Sequence, residues 1–209
     1  MKVVIFDMDG TLLDSKKDIT NSVNYVRKLS HGLAPLSEEF IVDAINMEVR
    51  NLPKLFYETD EYLDEDRVIF EKHYAHQCTQ NLYLYDGVKN MLISLVDNGV
   101  KISVATNAPT QFAKMMLKSL KIDDLFDVII GADEVSHSKP SPEMINKILN
   151  YYNFDHKVDT AWMIGDNSKD IQSAQNAGID SYFATWGFSP ISEYKNTVSH
   201  PKEILDIIL

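Results

Sequence analysis

The chain carries the stretch Ile-Phe-Asp-Met-Asp-Gly-Thr-Leu-Leu-Asp at residues 5–14. Residues 3–6 form a short apolar run, which is typical of a buried parallel strand. Asp7 and Asp9 follow, and their side chains leave a strand end on the same side because strand residues alternate with a period of two. Gly10 allows a tight turn beside a ligand, and Thr11 adds a hydroxyl. Two carboxylates so close repel unless a cation lies between them or one is protonated. The stretch therefore indicates a divalent-metal site with nucleophilic or acid–base chemistry, whereas an isolated Asp-x-Asp is often only a solvated turn.

Three further apolar runs, at residues 101–105, 127–130 and 160–164, each lead into polar residues. The polar residues are Thr106-Asn107, Ser138-Lys139-Pro140 and Gly165-Asp166-Asn167-Ser168-Lys169-Asp170. Helical patterns separate the runs, which predicts an α/β fold with a Rossmann-like parallel sheet flanked by helices. Because open α/β sheets gather ligand groups at the carboxyl ends of their strands, we expect these segments to meet Asp7.

The four polar segments resemble, in order and spacing, the four motifs of the haloacid dehalogenase superfamily of phosphotransferases. The first motif is Asp7-Met-Asp9-Gly-Thr, the second is Thr106, the third is Lys139 before Pro140, and the fourth runs from Gly165-Asp166 to Asp170. Residues 85–88 and 171–178 extend the resemblance, which covers nearly the whole chain. It is closest to the subfamily that holds phosphoglycolate phosphatases and β-phosphoglucomutases.

The resemblance gives the carboxylates of the first and fourth motifs their expected roles. Asp7 is the expected nucleophile, which forms an aspartyl-phosphate and divides hydrolysis into two easier steps. Asp9 is the expected general acid for the leaving alcohol and then the base that activates water. Mg²⁺ prefers oxygen ligands, and Asp7, the backbone carbonyl of Asp9 and Asp166 are its expected ligands.

The remaining motif residues are expected to bind the phosphate or to orient the residues that do. Thr106, with Asn107 beside it, is expected to hydrogen-bond phosphate oxygens, and Lys139 to hold phosphate and nucleophile together. Asp170 falls one helical turn after Asp166 and is expected to orient Lys139 or a metal-bound water. Each also has a structural alternative: Thr106 or Thr110 as a helix N-cap, Lys139 as a solvated loop lysine, and the aspartates as helix-start acids.

Residues 15–82 have a different character, because their apolar spacing is helical and no strand pattern is evident. The resemblance implies an α-helical cap domain at 15–82, inserted into a core formed by 1–14 and 83–209. Such a cap would close over the site, exclude water and contact the leaving group of the substrate. Residues 60–66 are acid-rich and are predicted to be the exposed start of a helix containing 68–75. Arg50 is the candidate substrate-binding residue of the cap, in a segment, 45–50, that lacks the glycines many relatives have there.

Composition restricts the partners. The 20 Lys and Arg against 31 Asp and Glu give a net charge of −11, which disfavours nucleic acids and anionic membranes. The chain has one cysteine, Cys78, so it forms no internal disulfide and suits a reducing compartment. Neither a leader nor an apolar run of membrane-spanning length is evident. We therefore expect a cytoplasmic protein, monomeric or homodimeric, whose partner is a small phosphorylated metabolite.

Taken together, the sequence predicts a Mg²⁺-dependent phosphatase of a small phosphomonoester, similar to phosphoglycolate phosphatases. One alternative is a sugar-phosphate mutase of the β-phosphoglucomutase kind. Another, from a different class, is a non-catalytic protein that binds or senses phosphate.

Overall fold

The computed structural model describes residues 1–47, 50–189 and 193–209, and the chain divides into two compact units. Unit 1 comprises Met1–Asp14 and Leu84–Leu209, and unit 2 comprises Ser15–Tyr83. The strands are β1 Lys2–Phe6, β2 Leu13–Asp14, β3 Tyr83–Leu84, β4 Lys101–Ala105, β5 Val128–Ile130, β6 Thr160–Gly165, β7 Asp180–Ala184 and β8 Thr197–Val198. The helices are α1 Lys16–His31, α2 Glu38–Asn46, α3 Leu52–Tyr57, α4 Asp64–Gln77, α5 Val88–Asp97, α6 Thr110–Ser119, α7 Glu143–Tyr151, α8 Ser168–Ala177 and α9 Pro201–Ile208.

Unit 1 is built on a six-stranded sheet in the order β5-β4-β1-β6-β7-β8, and all its strand pairs are parallel. β1 lies between β4 and β6, with Phe6 paired in register with Val104 on one side and Ile164 on the other. The last four residues of β1 are fully buried, as expected for a parallel strand covered on both faces. The ends of β1, β4 and β6 therefore come side by side, which brings the residues that follow them together. The predicted α/β fold with a parallel sheet flanked by helices is confirmed.

Unit 2 is helical, with α1 and α4 packed along each other around an apolar cluster that includes Val23, Val26 and Phe56. A buried aspartate, Asp18, ties the start of α1 to the end of α4. Its carboxylate accepts hydrogen bonds from the Gln77 side chain at 2.8 Å and from the Asn81 side chain at 2.6 Å. These bonds satisfy a charge that would otherwise be costly to bury.

The prediction of an exposed acidic start for α4 is wrong at Asp66. Asp64 and Glu65 are exposed, as predicted, but Asp66 is only 1 % exposed. Asp66 Oδ2 lies 2.9 Å from His31 Nε2, so a partner on α1 draws this residue into the interior. No helix of the described residues is long and apolar enough to cross a membrane, and the cytoplasmic location stays a prediction.

Candidate active site

Lys139 connects three elements of unit 1 beneath the carboxyl ends of the central strands. Its Nζ donates to Asp7 Oδ1, to Asp170 Oδ1 and to the Ala105 carbonyl oxygen, each at 2.6 Å. These three bonds use all three donors of the ammonium. Burial, the largest single influence on the Lys139 pKa, lowers it, but the charges of Asp170 and Asp7 and their hydrogen bonds outweigh burial and raise it. The raised pKa favours the charged form of Lys139, and its burial excludes the alternative of a solvated loop lysine.

Asn107 holds the backbone of Lys139 in place. Its Oδ1 accepts from the Lys139 N–H at 3.0 Å, and its Nδ2 donates to the Lys139 carbonyl at 3.1 Å. This two-way bond joins the loop after β4 to the loop that carries the lysine. In the present structure Asn107 acts on Lys139, and direct binding of phosphate by its amide stays a prediction.

Asp7, Asp166 and Asp170 form a buried carboxylate cluster. One oxygen from each lies within 4.8 Å of the others, and the three residues are 8, 1 and 1 % exposed. Three carboxylates against the single Lys139 ammonium leave a net charge of −2 when all are ionised. Oxygen donors with two uncompensated charges suit a hard divalent cation such as Mg²⁺. The residues present therefore fit the ion that the sequence predicted, although Asp170, expected only to support the site, belongs to the cluster.

Asp166 is held at both oxygens by uncharged donors. The Thr11 hydroxyl donates to Oδ1 at 3.0 Å, and the Phe188 N–H donates to Oδ2 at 2.8 Å. Burial raises the pKa of Asp166 well above its usual range, and the charges of Asp7 and Asp170 add to this. A cation at the cluster would reverse that effect, because it favours the ionised carboxylate.

Asp170 combines two predicted roles in one side chain. Its Oδ2 accepts from the Asn167 N–H at 3.0 Å and completes a capping box at the start of α8, while its Oδ1 accepts from Lys139. Burial raises the pKa of Asp170, and the charge of Lys139 opposes that rise. The prediction that Asp170 falls one helical turn after Asp166 is wrong, because Asp166 lies before α8 and not in the helix. The two carboxylates meet because a strand end and a first helical turn converge.

Glycines make room for these carboxylates. A Cβ on Gly165 would overlap the Asp170 carboxylate, and a Cβ on Gly10, whose φ is +88°, would overlap that of Asp166. Gly187, in the loop after β7, is equally confined, because its Cβ would overlap the Gly10 carbonyl oxygen and lie 2.7 Å from Asp166 Oδ2.

The loop after β7 was not among the predicted site residues. Besides the Phe188 N–H bond to Asp166, the Trp186 indole donates to the Thr11 carbonyl oxygen at 2.9 Å. The sequence signal that could have found this loop is Trp-Gly-Phe directly after an apolar strand. The loop supports both the first and the fourth motif.

The other predicted site residues are placed as follows. Thr106 is 2 % exposed, and its hydroxyl accepts from the Ala108 N–H at 3.1 Å. Neither Thr106 nor Thr110 caps α6, whose N-cap is Pro109. Asp9 is partly buried in the turn after β1, and its carboxylate is not part of the buried cluster.

Arg50 belongs to unit 2, where it is partly buried. Burial lowers the pKa of its guanidinium, and Tyr62 opposes that shift. Residues 48–49 of the predicted substrate-binding segment lie outside the described residues.

Comparison with known proteins agrees with this geometry. A family model described as haloacid dehalogenase-like hydrolase matches residues 4–184, a range that includes Asp7, Lys139, Asp166 and Asp170. The chain belongs to this family. A phosphoglycolate phosphatase from Colwellia psychrerythraea is 33% identical over 90% of this chain and 86% of its own. The pyrophosphatase PpaX of Bacillus mycoides is 30% identical over 99% of this chain and 93% of its own.

A solved structure supports the fold independently. A haloacid dehalogenase-like family hydrolase from Streptococcus pneumoniae superposes with a TM-score of 0.81 at 24% identity, covering 99% of this chain and 98% of its own. At that identity the likeness shows the fold alone. The predicted family and the predicted enzyme class, a phosphatase, are confirmed.

Proposed function

We propose that this protein is a Mg²⁺-dependent phosphatase that hydrolyses a small phosphomonoester through an aspartyl-phosphate on Asp7. The observation that carries the proposal is the Lys139 ammonium, bonded at 2.6 Å to both Asp7 and Asp170 in a buried cluster that also holds Asp166. Phosphoryl transfer needs an in-line nucleophile and neutralisation of the charge on the transferring oxygens. Asp7 in this cluster would supply the nucleophile, and a cation bound to the cluster would supply the neutralisation.

The surroundings of Asp7 support its proposed role as the nucleophile. It directly follows the central strand, its backbone N–H donates to the Ile164 carbonyl at 2.8 Å, and Lys139 fixes its Oδ1. The second carboxylate oxygen, Oδ2, would attack phosphorus while the leaving alcohol departs on the opposite side. The phosphoryl group would then be carried as a mixed anhydride on Asp7 until water attacks phosphorus, which breaks the bond to the Asp7 oxygen, frees its carboxylate and releases phosphate.

Asp9 is the residue that we propose to move the proton in both half-reactions. It is less buried than the cluster, which suits a group that meets substrate and water. Its carboxylic acid would protonate the departing alkoxide, and the resulting carboxylate would take a proton from the attacking water. The turn that carries Asp9 is fixed by the Gly10 N–H bond to the Leu13 carbonyl at 2.9 Å.

The metal would be held by Asp7, the backbone carbonyl of Asp9 and Asp166. Mg²⁺ supplies neutralisation of charge on the phosphate oxygens when it is bound. The donor set fits it for the reason given above: two uncompensated negative charges among buried oxygens. Thr106, at the end of β4, would add a hydroxyl donor for a phosphate oxygen.

Relatives of similar identity carry different substrate names, phosphoglycolate for one and pyrophosphate for another. A compact anionic substrate is common to both, and we propose a small phosphomonoester of the phosphoglycolate kind. Unit 2 would serve as the cap, with Arg50 contacting the part of the substrate beyond the phosphate.

The proposal is tested by phosphate release over a set that includes phosphoglycolate, pyrophosphate and sugar phosphates. We expect phosphoglycolate or another small monoester to be hydrolysed, activity to stop with a chelator and to return with Mg²⁺. Asp166→Asn should need more Mg²⁺, whereas Asp97→Asn at the end of α5 is the matched surface control. Full activity in excess chelator, or no hydrolysis of any member, would contradict the proposal.

A further inference from the structure

Within the carboxylate cluster of the described residues, Asp166 is the member that Lys139 does not hold. The Lys139 ammonium donates to Asp7, to Asp170 and to the Ala105 carbonyl, and these bonds use all three of its donors. Asp166 is nevertheless 1 % exposed. The orientation of its carboxylate is therefore set by uncharged groups around it.

The loop of residues 186–188, which follows β7, reaches both oxygens of Asp166. It reaches Oδ2 directly, because the Phe188 N–H donates to that atom at 2.8 Å. It reaches Oδ1 through Thr11: the Trp186 indole donates to the Thr11 carbonyl at 2.9 Å, and the Thr11 hydroxyl donates to Oδ1 at 3.0 Å. The carboxylate of Asp166 is thus fixed at two points and cannot rotate without breaking one of these bonds.

The 186–188 loop is itself held by backbone contacts. Just before it, the Thr185 N–H donates to the Val198 carbonyl at 3.0 Å, which continues the pairing of β7 with β8. Within it, Gly187 lies so close to the first motif that a Cβ there would overlap the Gly10 carbonyl oxygen. Supports of this kind keep a site in one geometry, because neither contact depends on a flexible side chain.

A carboxylate that is fixed in this way distinguishes between divalent cations. Two carboxylate oxygens offer about four lone-pair sites, so one donor on each oxygen of Asp166 leaves sites free for a metal ion. Donors on both oxygens also oppose the rotation that would turn both toward one ion, which favours binding through a single oxygen. Mg²⁺ needs near-ideal octahedral geometry, whereas Ca²⁺ accepts bidentate carboxylates and irregular geometry. A fixed Asp166 therefore favours Mg²⁺ over Ca²⁺.

We propose that the 186–188 loop determines the affinity and selectivity of the metal site, with Trp186 as its positioning residue. Through the Thr11 carbonyl and the Phe188 N–H, the loop holds Asp166 in the single-oxygen orientation that Mg²⁺ requires. The inference rests on the proposed function, because it takes Asp166 as a ligand of Mg²⁺.

The test measures metal binding without substrate or turnover. The metal-free full chain is titrated with Mg²⁺ and, separately, with Ca²⁺ in a calorimeter. Trp186→Phe removes the indole donor and keeps an aromatic ring. It should raise the Kd of Mg²⁺ at least about tenfold, as expected when a group that orients a metal ligand is lost, and the Kd of Ca²⁺ much less. Trp162→Phe makes the same change within β6 and is the matched control, which should leave both constants unchanged.

A second pair of variants keeps the test decisive if Trp186→Phe fails to fold. Thr11→Val removes the hydroxyl that donates to Asp166 and should weaken Mg²⁺ binding selectively, whereas Thr11→Ser keeps a hydroxyl and should recover most of the affinity. A purely structural role would weaken Mg²⁺ and Ca²⁺ binding alike, and that result would overturn the inference.

Unchanged Mg²⁺ affinity in Trp186→Phe would also overturn the inference, and would leave the proposed phosphatase intact. A wild-type chain that binds no Mg²⁺ would overturn the inference together with the proposed function.

Discussion

Replacing Lys139 by methionine removes the ammonium from the carboxylate cluster while nearly preserving the length of the side chain. The lysine side chain is 3 % exposed and is paired with Asp7 and Asp170, so the variant leaves buried carboxylates without their cation. Removing one partner of a buried ion pair costs about 3–5 kcal/mol. For a chain of this size we expect the melting temperature of the metal-free variant to fall by on the order of 10 °C.

The matched control is Lys101→Met, which breaks a surface pair with Asp127 at 3.6 Å, where both side chains are more than a third exposed. Such pairs contribute about 0–1 kcal/mol, so its melting temperature should hardly change. Unfolding of unit 1 can be followed by tryptophan fluorescence, because both tryptophans, Trp162 and Trp186, lie in that unit.

A further arm of the same experiment combines the lysine variant with a change at Asp170, one of the two carboxylates paired with Lys139. Lys139→Met combined with Asp170→Asn should be more stable than Lys139→Met alone, because the second change removes one uncompensated charge. Mg²⁺ should stabilise Lys139→Met more than the wild type at equal concentration, since the variant cluster is more negative. The reasoning is refuted if Lys139→Met loses no more stability than Lys101→Met.

Three further outcomes are expected. Gly187→Ala should lower turnover at least about tenfold in a folded protein, because its Cβ would overlap the Gly10 carbonyl beside the site. Unchanged kinetics would contradict this, because they would mean that the loop moves enough to accept the Cβ without disturbing the site. Asp133→Asn should cost about 1 kcal/mol at neutral pH, since Asp133 Oδ1 accepts from the Thr110 N–H at 2.6 Å and from its hydroxyl at 2.9 Å. Burial alone would raise the Asp133 pKa, but these bonds lower it below its ordinary 3.8. The stabilisation is therefore present above that pH and is lost as the pH falls through the lower folded-state pKa. Urea unfolding along a pH series should show the difference in free energy of unfolding between wild type and variant narrowing in acid, and a constant difference would contradict this. Arg50→Ala should raise KM or change the order of preferred substrates without altering formation of the phosphoenzyme, and identical kinetics across the substrate set would remove Arg50 from the site.

The sheet could be predicted from sequence because its strands are buried on both faces and appear as continuous apolar runs. The predicted run 101–105 is β4 itself, and the predicted runs 3–6, 127–130 and 160–164 each differ from a strand by one residue at one end. The meeting of Lys139 with Asp7 followed from the rule that ligand groups gather at the carboxyl ends of such strands.

What sequence could not provide are contacts between distant residues that leave no local pattern. The Trp186 bond to the Thr11 carbonyl joins residues 175 positions apart, and no periodic pattern in the sequence predicts it. The burial of Asp66 likewise depends on His31 of another helix, so its local acid-rich context predicted exposure. The start of α6 is a third case: Pro109 is its N-cap, so neither threonine takes the alternative role of a cap, and the Thr110 N–H donates to Asp133 instead.

The measurement that tests the central claim most directly is the detection of a phosphoryl group on Asp7. Asp9→Asn is mixed with an aryl phosphate, whose good leaving group needs little protonation, then quenched in acid and digested for mass spectrometry. Because Asp9 would also activate water for the second step, the variant should accumulate phosphate on the peptide that contains Asp7, sensitive to hydroxylamine. The same treatment of Asp7→Asn should give no phosphorylated peptide and no turnover. Steady hydrolysis by Asp7→Asn, or phosphate trapped on any other residue, would contradict the account.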